Sequence, residues 1–477
     1  MKSIFFKFSG LMVFTFILLL IIGIQVPDPV NFVLGAIPNL PHHQISFSQQ
    51  SNTENLSSSE ITTDEESSEI FSESELEEED SLLSNSSAIT NSSSLSDSSS
   101  NLEPPSNSSE SPIISTPNPT PVPAPSEKVI VGYYTGWSSY KGYTPDKIPV
   151  ENLTHLNYAF AKIDPSTQKI ALADPANDRN NFEVIRKLKQ KNPNLKTLIS
   201  VGGWDYSTHF STIAATPDGR ERFAQSCVDF ILEYGFDGID IDWEYPVSGG
   251  ASGNSNRPQD KENFTLLLQT IREKLNQQSL QDNKKYYLTI AAAASNSYLS
   301  KIEPKNVSGI VDYIFVMTYD IHGPWDKYAD FNAPLYTPEE DSPNYKNSVS
   351  ESISAYLDHG VSMKKLVLGM PFYGYLYQDV SSENNGLYST FSSAKSISYD
   401  IIKSTYLTSS DYSQLRHKTA KVPYLYGNGI FISYEDPQSI SDKVSLAKSL
   451  GLAGIGAWEH SHDSSGILLK SAYQTLY

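Results

Sequence analysis

The chain has 477 residues, room for two or three ordinary domains or one large barrel. Only 39% of it is hydrophobic, so part of it is not expected to fold, and a net charge of −20 argues against a nucleic-acid surface built of Lys and Arg. A single cysteine, Cys227, excludes an internal disulfide framework and any Cys-based zinc site.

Lys2 and Lys7 precede an apolar run from Leu11 to Val26, a charged region ahead of a hydrophobic one, which reads as an export signal. The run is long for a cleaved signal and short for a spanning helix, so residues 1–36 are expected to be a signal peptide or an N-terminal membrane anchor. In both cases the positive end stays inside and the rest passes outside. Residues 37–127 form a stretch rich in Ser, Thr, Pro and acids, with the acidic run Glu73 to Asp80 at its heart. Residues 1–127 hold 17 Asp/Glu against 2 Lys/Arg, so most of the negative charge belongs to this front part. It has too few large apolar groups to offset ordering entropy and is expected to be a disordered spacer. Such a leader implies a secreted protein, or one tethered to a membrane or cell wall.

From Lys128 the texture changes. Strand-like runs occur at about 129–134, 154–160, 196–201, 236–242, 286–294, 312–319, 365–372 and 452–458, nearly continuous in apolar character, as for strands buried on both faces. Helical patterns lie between them. The clearest is Pro217 to Tyr234, where Phe223, Cys227, Phe230, Ile231 and Tyr234 share a face, Thr216 can cap the start and Gly235 the end. Cys227 is therefore expected in the core. The alternation predicts an α/β chain: a (β/α)8 TIM barrel over 128–477, with a small α+β insertion at about 376–434 between strands seven and eight, preceded by the disordered front region. A monomer is expected.

The chemistry concentrates in Phe236-Asp237-Gly238-Ile239-Asp240-Ile241-Asp242-Trp243-Glu244-Tyr245-Pro246. On a strand, Asp240, Asp242 and Glu244 point into the barrel about 6–7 Å apart, and Ile239, Ile241 and Trp243 point against the helices. Burying several carboxylates is costly, and at that spacing they cannot all ionise, so one should hold a proton near neutral pH. That is what general-acid catalysis requires. A hard-metal site for Mg²⁺ or Ca²⁺ is the competing functional reading, and a purely structural acidic strand the bland one. The other strand ends favour the acid. Ser200 and Gly202 leave room beside the carboxylates, and Met317 and Tyr319 share a face that aims a phenol at them. Tyr133, Trp137, Phe160, Tyr373 and Trp458 gather near the C-terminal ends of strands one, two, seven and eight. Each alone suits core packing, but together they suit walls for sugar rings.

Asp-Gly-x-Asp-x-Asp-Trp-Glu-Tyr-Pro resembles the signature of family 18 glycoside hydrolases, the chitinases. Ser200-Val201-Gly202-Gly203 is similar to that family's strand-three motif, and Met317 to Asp320 to its strand-six motif. The resemblance spans about residues 128–477. It implies that Glu244 protonates the glycosidic oxygen and then activates water, while the substrate's own N-acetyl carbonyl attacks the anomeric carbon. It further implies that Asp242 orients the acetamido group, Asp240 shares its proton, Tyr319 donates to the acetamido oxygen and Trp458 floors the scissile subsite. Trp204, Trp325 and Asp320 would line neighbouring subsites, and Asp237 would be the motif's structural aspartate. Chitin or chitooligosaccharides would be the partner, with no cofactor and no metal. One departure is Tyr375, which stands where many relatives carry an Arg; altered subsite preference is expected. A chitin-binding lectin on the same barrel, or an enzyme for another N-acetylglucosamine polymer, are the alternative readings. The lectin reading suffers from the presence of Glu244.

Overall fold

The structure, a computed structural model, describes residues 128–339 and 345–477. The expected signal or anchor (1–36) and spacer (37–127) lie outside the described residues. Among the described residues no helix is long and apolar enough to cross a membrane.

Strands β1 (Val129–Thr135), β2 (His155–Asp164), β3 (Lys169–Leu172), β4 (Lys196–Gly202), β5 (Gly238–Asp242), β6 (Tyr287–Ala293), β7 (Tyr313–Met317) and β8 (Leu366–Pro371) precede the insertion, and β14 (Gly454–Trp458) follows it. Among the described residues eight parallel strands close in the order β1-β2-β4-β5-β6-β7-β8-β14, and β14 pairs back onto β1 with Val129 opposite Gly454. This is a TIM barrel, and all eight of its strands fall on the runs anticipated from sequence. β3 is an addition: it folds back antiparallel on the extended end of β2, Asp164 opposite Lys169.

The outer layer is helical: α1 (Pro175–Lys191), α2 (Pro217–Tyr234), α3 (Asp260–Asp282), α4 (Pro304–Ile310), α5 (Val349–Asp358), α6 (Pro437–Ser449) and α7 (Ile467–Leu476). α2 spans the predicted residues. The Thr216 hydroxyl accepts from the Gly219 amide at 3.1 Å, and Gly235 ends the helix at φ +78, a conformation that costs glycine nothing. Phe223, Cys227, Phe230 and Ile231 are buried on its inner face, and burial pushes the Cys227 thiol well above its usual range. The connection from β1 to β2 departs from strict alternation. It is three short 3₁₀ turns between Gly136 and Asn152, because Gly142, Pro145 and Pro149 interrupt any longer helix.

Between β8 and α6 lies the α+β insertion. Its strands are β9 (Tyr373–Gln378), β10 (Ser393–Ser398), β11 (Ser413–Arg416), β12 (Pro423–Gly427) and β13 (Ile430–Ser433), antiparallel in the order β10-β9-β13-β12-β11, with a short helical stretch at Tyr399–Tyr406. The sheet begins at Tyr373, three residues ahead of the expected boundary at 376, because β9 follows β8 after Phe372 alone. Tyr377, Leu425, Phe431 and Ile432 form its core.

Candidate active site

β5 is flanked by β4 and β6, with Asp240 opposite Ser200 on one side and Thr289 on the other. Its outward residues Ile239, Ile241 and Trp243 are buried against the helical layer. Trp243 stacks on Phe210 at 5.4 Å and meets Phe264 of α3 edge-on at 5.6 Å. The packed outer face turns the acids inward.

Asp240 is fully enclosed. Its Oδ2 accepts from the Tyr133 and Ser200 hydroxyls, each at 2.8 Å, and its Oδ1 from Thr289 at 2.6 Å. Burial pushes its carboxyl up, and the three hydroxyl donors pull it partly back. Asp242 sits one step nearer the mouth, and its buried Oδ1 has no hydrogen-bond partner. Burial, reinforced by the charges of Glu244 and Asp240, pushes Asp242 well above the carboxylate range. Glu244 follows the strand at the mouth. Burial pushes it up to about 7; Tyr245 offsets this in part, and the charges of Asp320 and Asp205 add to it. The three acids therefore form a ladder on one strand end, each with its proton affinity raised by burial.

The backbone of Glu244 is held by residues that the sequence pattern did not flag. Its amide donates to the Ser207 hydroxyl at 2.9 Å, and its carbonyl accepts from the Asn254 side chain at 2.8 Å. The Ser207 hydroxyl donates to the Gly203 carbonyl at 2.8 Å, and the Gly203 amide to the Asp242 carbonyl at 2.8 Å. Gly202 adopts φ +109, and a Cβ there would lie 2.2 Å from the Asp242 carbonyl oxygen. Thr289 was also unflagged, although an inward polar residue on a neighbouring strand was a signal to find it. Ser207 and Asn254 lie outside the barrel strands, where no periodicity marks them.

The aromatic residues divide into a floor and a wall. Trp458, half-buried at the end of β14, stacks with Phe160 at 5.7 Å, and Phe160 neighbours Trp137 at 6.2 Å. Tyr133 lies beside Trp458 at 5.5 Å, but it is 1% exposed and commits its hydroxyl to Asp240, so it supports the acids from below instead of facing the cleft. Tyr319 stands at the end of β7, edge-on to Tyr373 at 6.1 Å. Burial, with the charges of Asp242 and Asp320 next, keeps its phenol protonated and able to donate. Met317 and Trp204 are half-buried at the ends of β7 and β4. Trp325 packs over Gly323 and edge-on to Tyr375 at 5.8 Å. Asp320 accepts from both Tyr373 and Tyr375. Asp237 lies at the other end of β5, where Lys189 at 2.5 Å and Lys284 at 3.0 Å pair with it. Among the described residues no group of three or more His, Cys, Asp or Glu side chains is arranged to hold a metal ion.

A closed parallel barrel thus carries three acids at the C-terminal end of one strand, with aromatic side chains gathered at the neighbouring strand ends. The sequence profile of Glycosyl hydrolases family 18 matches residues 129–463. Chitinase A1 of Niallia circulans is 42% identical over 398 residues, an alignment covering 71% of this chain and 57% of that relative, so this chain spans little more than half of that relative's length. Among solved structures, Chitinase ChiA74 from Bacillus thuringiensis superposes with a TM-score of 0.70 at 35% identity, covering 73% of this chain and 69% of that one. A class V chitinase from Nicotiana tobaccum, solved as a glutamate-to-glutamine variant in complex with NAG4, superposes with a TM-score of 0.67 at 29% identity, covering 73% and 99%. The chain belongs to glycosyl hydrolases family 18.

Proposed function

We propose that this protein hydrolyses β-1,4 linkages between N-acetylglucosamine units of chitin, with retention of anomeric configuration, and that the substrate's acetamido oxygen is the nucleophile. The carrying observation is the acid ladder on one strand end. Of the three, Glu244 stands nearest the mouth, with a proton affinity near the working range of a general acid. A protein nucleophile would need a second carboxylate across the glycosidic bond, about 5–5.5 Å from the acid. Asp242 and Asp240 are instead behind Glu244 on the same strand, the first with its proton affinity raised by burial and the second enclosed by hydroxyl groups. They suit support of an acetamido group that attacks from the sugar itself.

In this reading Glu244 protonates the leaving oxygen as the acetamido carbonyl closes on the anomeric carbon, and then takes a proton from water as the ring intermediate opens. Asp242 and the Tyr319 hydroxyl hold the acetamido group. Trp458 and Phe160 carry the sugar face. The row from Trp458 through Phe160 to Trp137 supports endo cutting of a bound chain. The charged start and apolar run of residues 1–26 support action outside the cell, secreted or tethered.

Glu244→Gln is expected to lower turnover of a fluorogenic chitin oligomer by at least about 10²-fold, the ordinary worth of a general acid. Binding of the oligomer should persist, in keeping with the relative's glutamine variant that holds NAG4. Undiminished turnover overturns the assignment of Glu244. Cleavage of a fully deacetylated polymer at the rate of chitin overturns the acetamido nucleophile.

A further inference from the structure

After β7 the chain runs through a compact loop, residues 322–331, whose ends meet where the Ile321 amide donates to the Asn332 carbonyl at 3.0 Å. One flank is tied to the insertion: the Ala329 amide donates to the Ser389 carbonyl at 2.8 Å, and the Tyr388 amide to the Ala329 carbonyl at 2.9 Å. The other flank carries Trp325 in a tight turn. There the Asp326 amide donates to the Gly323 carbonyl at 3.0 Å, and the Gly323 amide to Asp326 Oδ2 at 3.2 Å. The indole lies so close over Gly323 that a Cβ there would stand 2.4 Å from it. His322, 3% exposed, stands between two aspartates of the loop. Its Nδ1 lies 3.1 Å from Asp326 Oδ2 and its Nε2 3.7 Å from Asp330 Oδ2. A carboxylate only accepts, so Nδ1 carries a proton, and in a neutral ring Nε2 would turn a lone pair on the second carboxylate. The arrangement suits an imidazolium between two anions.

We propose that His322 is a positioning residue: clasped between Asp326 and Asp330, it closes the turn that presents Trp325 to the sugar chain, and the turn loosens when the ring loses its proton. This rests on the function proposed above, with Trp325 beside the scissile subsite as the family resemblance implies. Burial works against the charged ring, but the bond to Asp326 and the charge of Asp330 outweigh it, so the imidazole keeps its proton above its ordinary 6.5. The Phe331 amide donates to Asp330 Oδ1 at 2.8 Å and turns Oδ2 to the ring. The Tyr377 phenol of β9 lies in the field of both aspartates and of Asp320. Lys327 lies over the Tyr328 ring at 5.1 Å, and His417 meets Phe331 at 5.2 Å. Of these groups, Asp326 and Asp330 are the ones within ion-pair distance of His322.

The first arm of the test needs no substrate. In protein carrying ¹⁵N-histidine and 5-fluorotryptophan, the His322 imidazole and the Trp325 indole are followed from about pH 5 to about pH 9. Each signal is assigned by its absence, in His322→Asn or in Trp325→Phe. His322 should titrate above 6.5, and the Trp325 signal should move with the same midpoint. In Asp326→Asn both midpoints should fall together by about 0.5–1 unit, since one anion beside the ring is lost. In His322→Asn the Trp325 step should vanish. A Trp325 signal that ignores the His322 midpoint, or keeps its step in His322→Asn, overturns the proposal, as does a ring already neutral at pH 6.5. Should His322→Asn not fold, the titrations of the wild type and of Asp326→Asn decide in the same way. The second arm compares the wild type with His322→Asn at about pH 6. KM for chitohexaose should rise by about 3–10-fold, the worth of one aromatic contact, while kcat changes by less than about twofold. A fall in kcat with KM in place overturns the proposal. A wild-type protein that leaves chitohexaose intact refutes the function proposed above, and the two titrations still decide whether His322 governs Trp325.

Discussion

Glu244 illustrates what a buried acid costs its own fold. Below its ordinary value of 4.5 the carboxyl is protonated both in the folded barrel and in the unfolded chain, and it contributes nothing to pH dependence. Between 4.5 and about 7 the unfolded chain releases the proton while the barrel keeps it, so the folded state loses stability as pH rises through that window. Above it the loss is constant, up to about 3 kcal/mol. Glu244→Gln is therefore expected to raise the unfolding temperature at pH 7 or above and to leave it nearly unchanged at pH 4, measured by calorimetry at both values. An equal gain at the two pH values would show that packing, not charge, is responsible. Much of the site was legible at this scale because a strand has period two: Asp240, Asp242 and Glu244 had to share a face once the strand was recognised. Nothing in the spacing of β1 tells that the Tyr133 hydroxyl reaches Asp240 across the lumen. Ser207 and Asn254 were invisible because loop residues have no period, and only the folded chain brings them to the Glu244 backbone.

At the scale of elements, the runs read best where composition and burial agree. The barrel strands other than β5, whose inner face carries Asp240 and Asp242, are largely apolar on both faces, and α2 carries its cap, its face and its stop signal in sequence. β3 escaped notice because four residues, Lys169–Leu172, have no pattern apart from their pairing with β2. The end of β4 shows how one element places another. Gly202 brings the β4 backbone against the Asp242 carbonyl in a conformation that side-chain-bearing residues rarely adopt. Gly202→Ala is expected to cost about 2 kcal/mol or more through backbone strain and the forced shift of Asp242. Turnover should fall by more than that loss of stability explains, because Asp242 and Glu244 share the displaced segment. Unfolding in denaturant and kcat measured on the folded fraction check the two parts separately. Unchanged kcat would mean that the segment absorbs the shift.

The described residues form a barrel with a second sheet inserted after β8, and the return from that sheet to the barrel passes through a buried ion pair. Glu435, two residues after β13, meets Lys443 of α6 at 2.7 Å with both side chains almost wholly enclosed. Burial pushes the glutamate up and the lysine down, and each opposes that shift in the other. Lys443→Met leaves Glu435 without its cation and is expected to cost about 3–5 kcal/mol near neutral pH. The cost should shrink at pH 4, where the carboxyl takes a proton; denaturant unfolding at the two pH values measures this, and an equal loss at both would assign it to packing. The insertion was legible as a strand-rich surplus, but its edge at Tyr373 and its hold on Asp320 depend on contacts across more than fifty residues of chain. Finally, Lys128 directly precedes β1 at the end of the barrel remote from Glu244, and the Tyr477 hydroxyl donates to the Lys128 carbonyl at 2.7 Å. Both ends of the described fold therefore emerge on the blind side of the cup. Fixed to a bead or a fibre by either one, the enzyme would turn its open rim toward an insoluble particle and away from its own support.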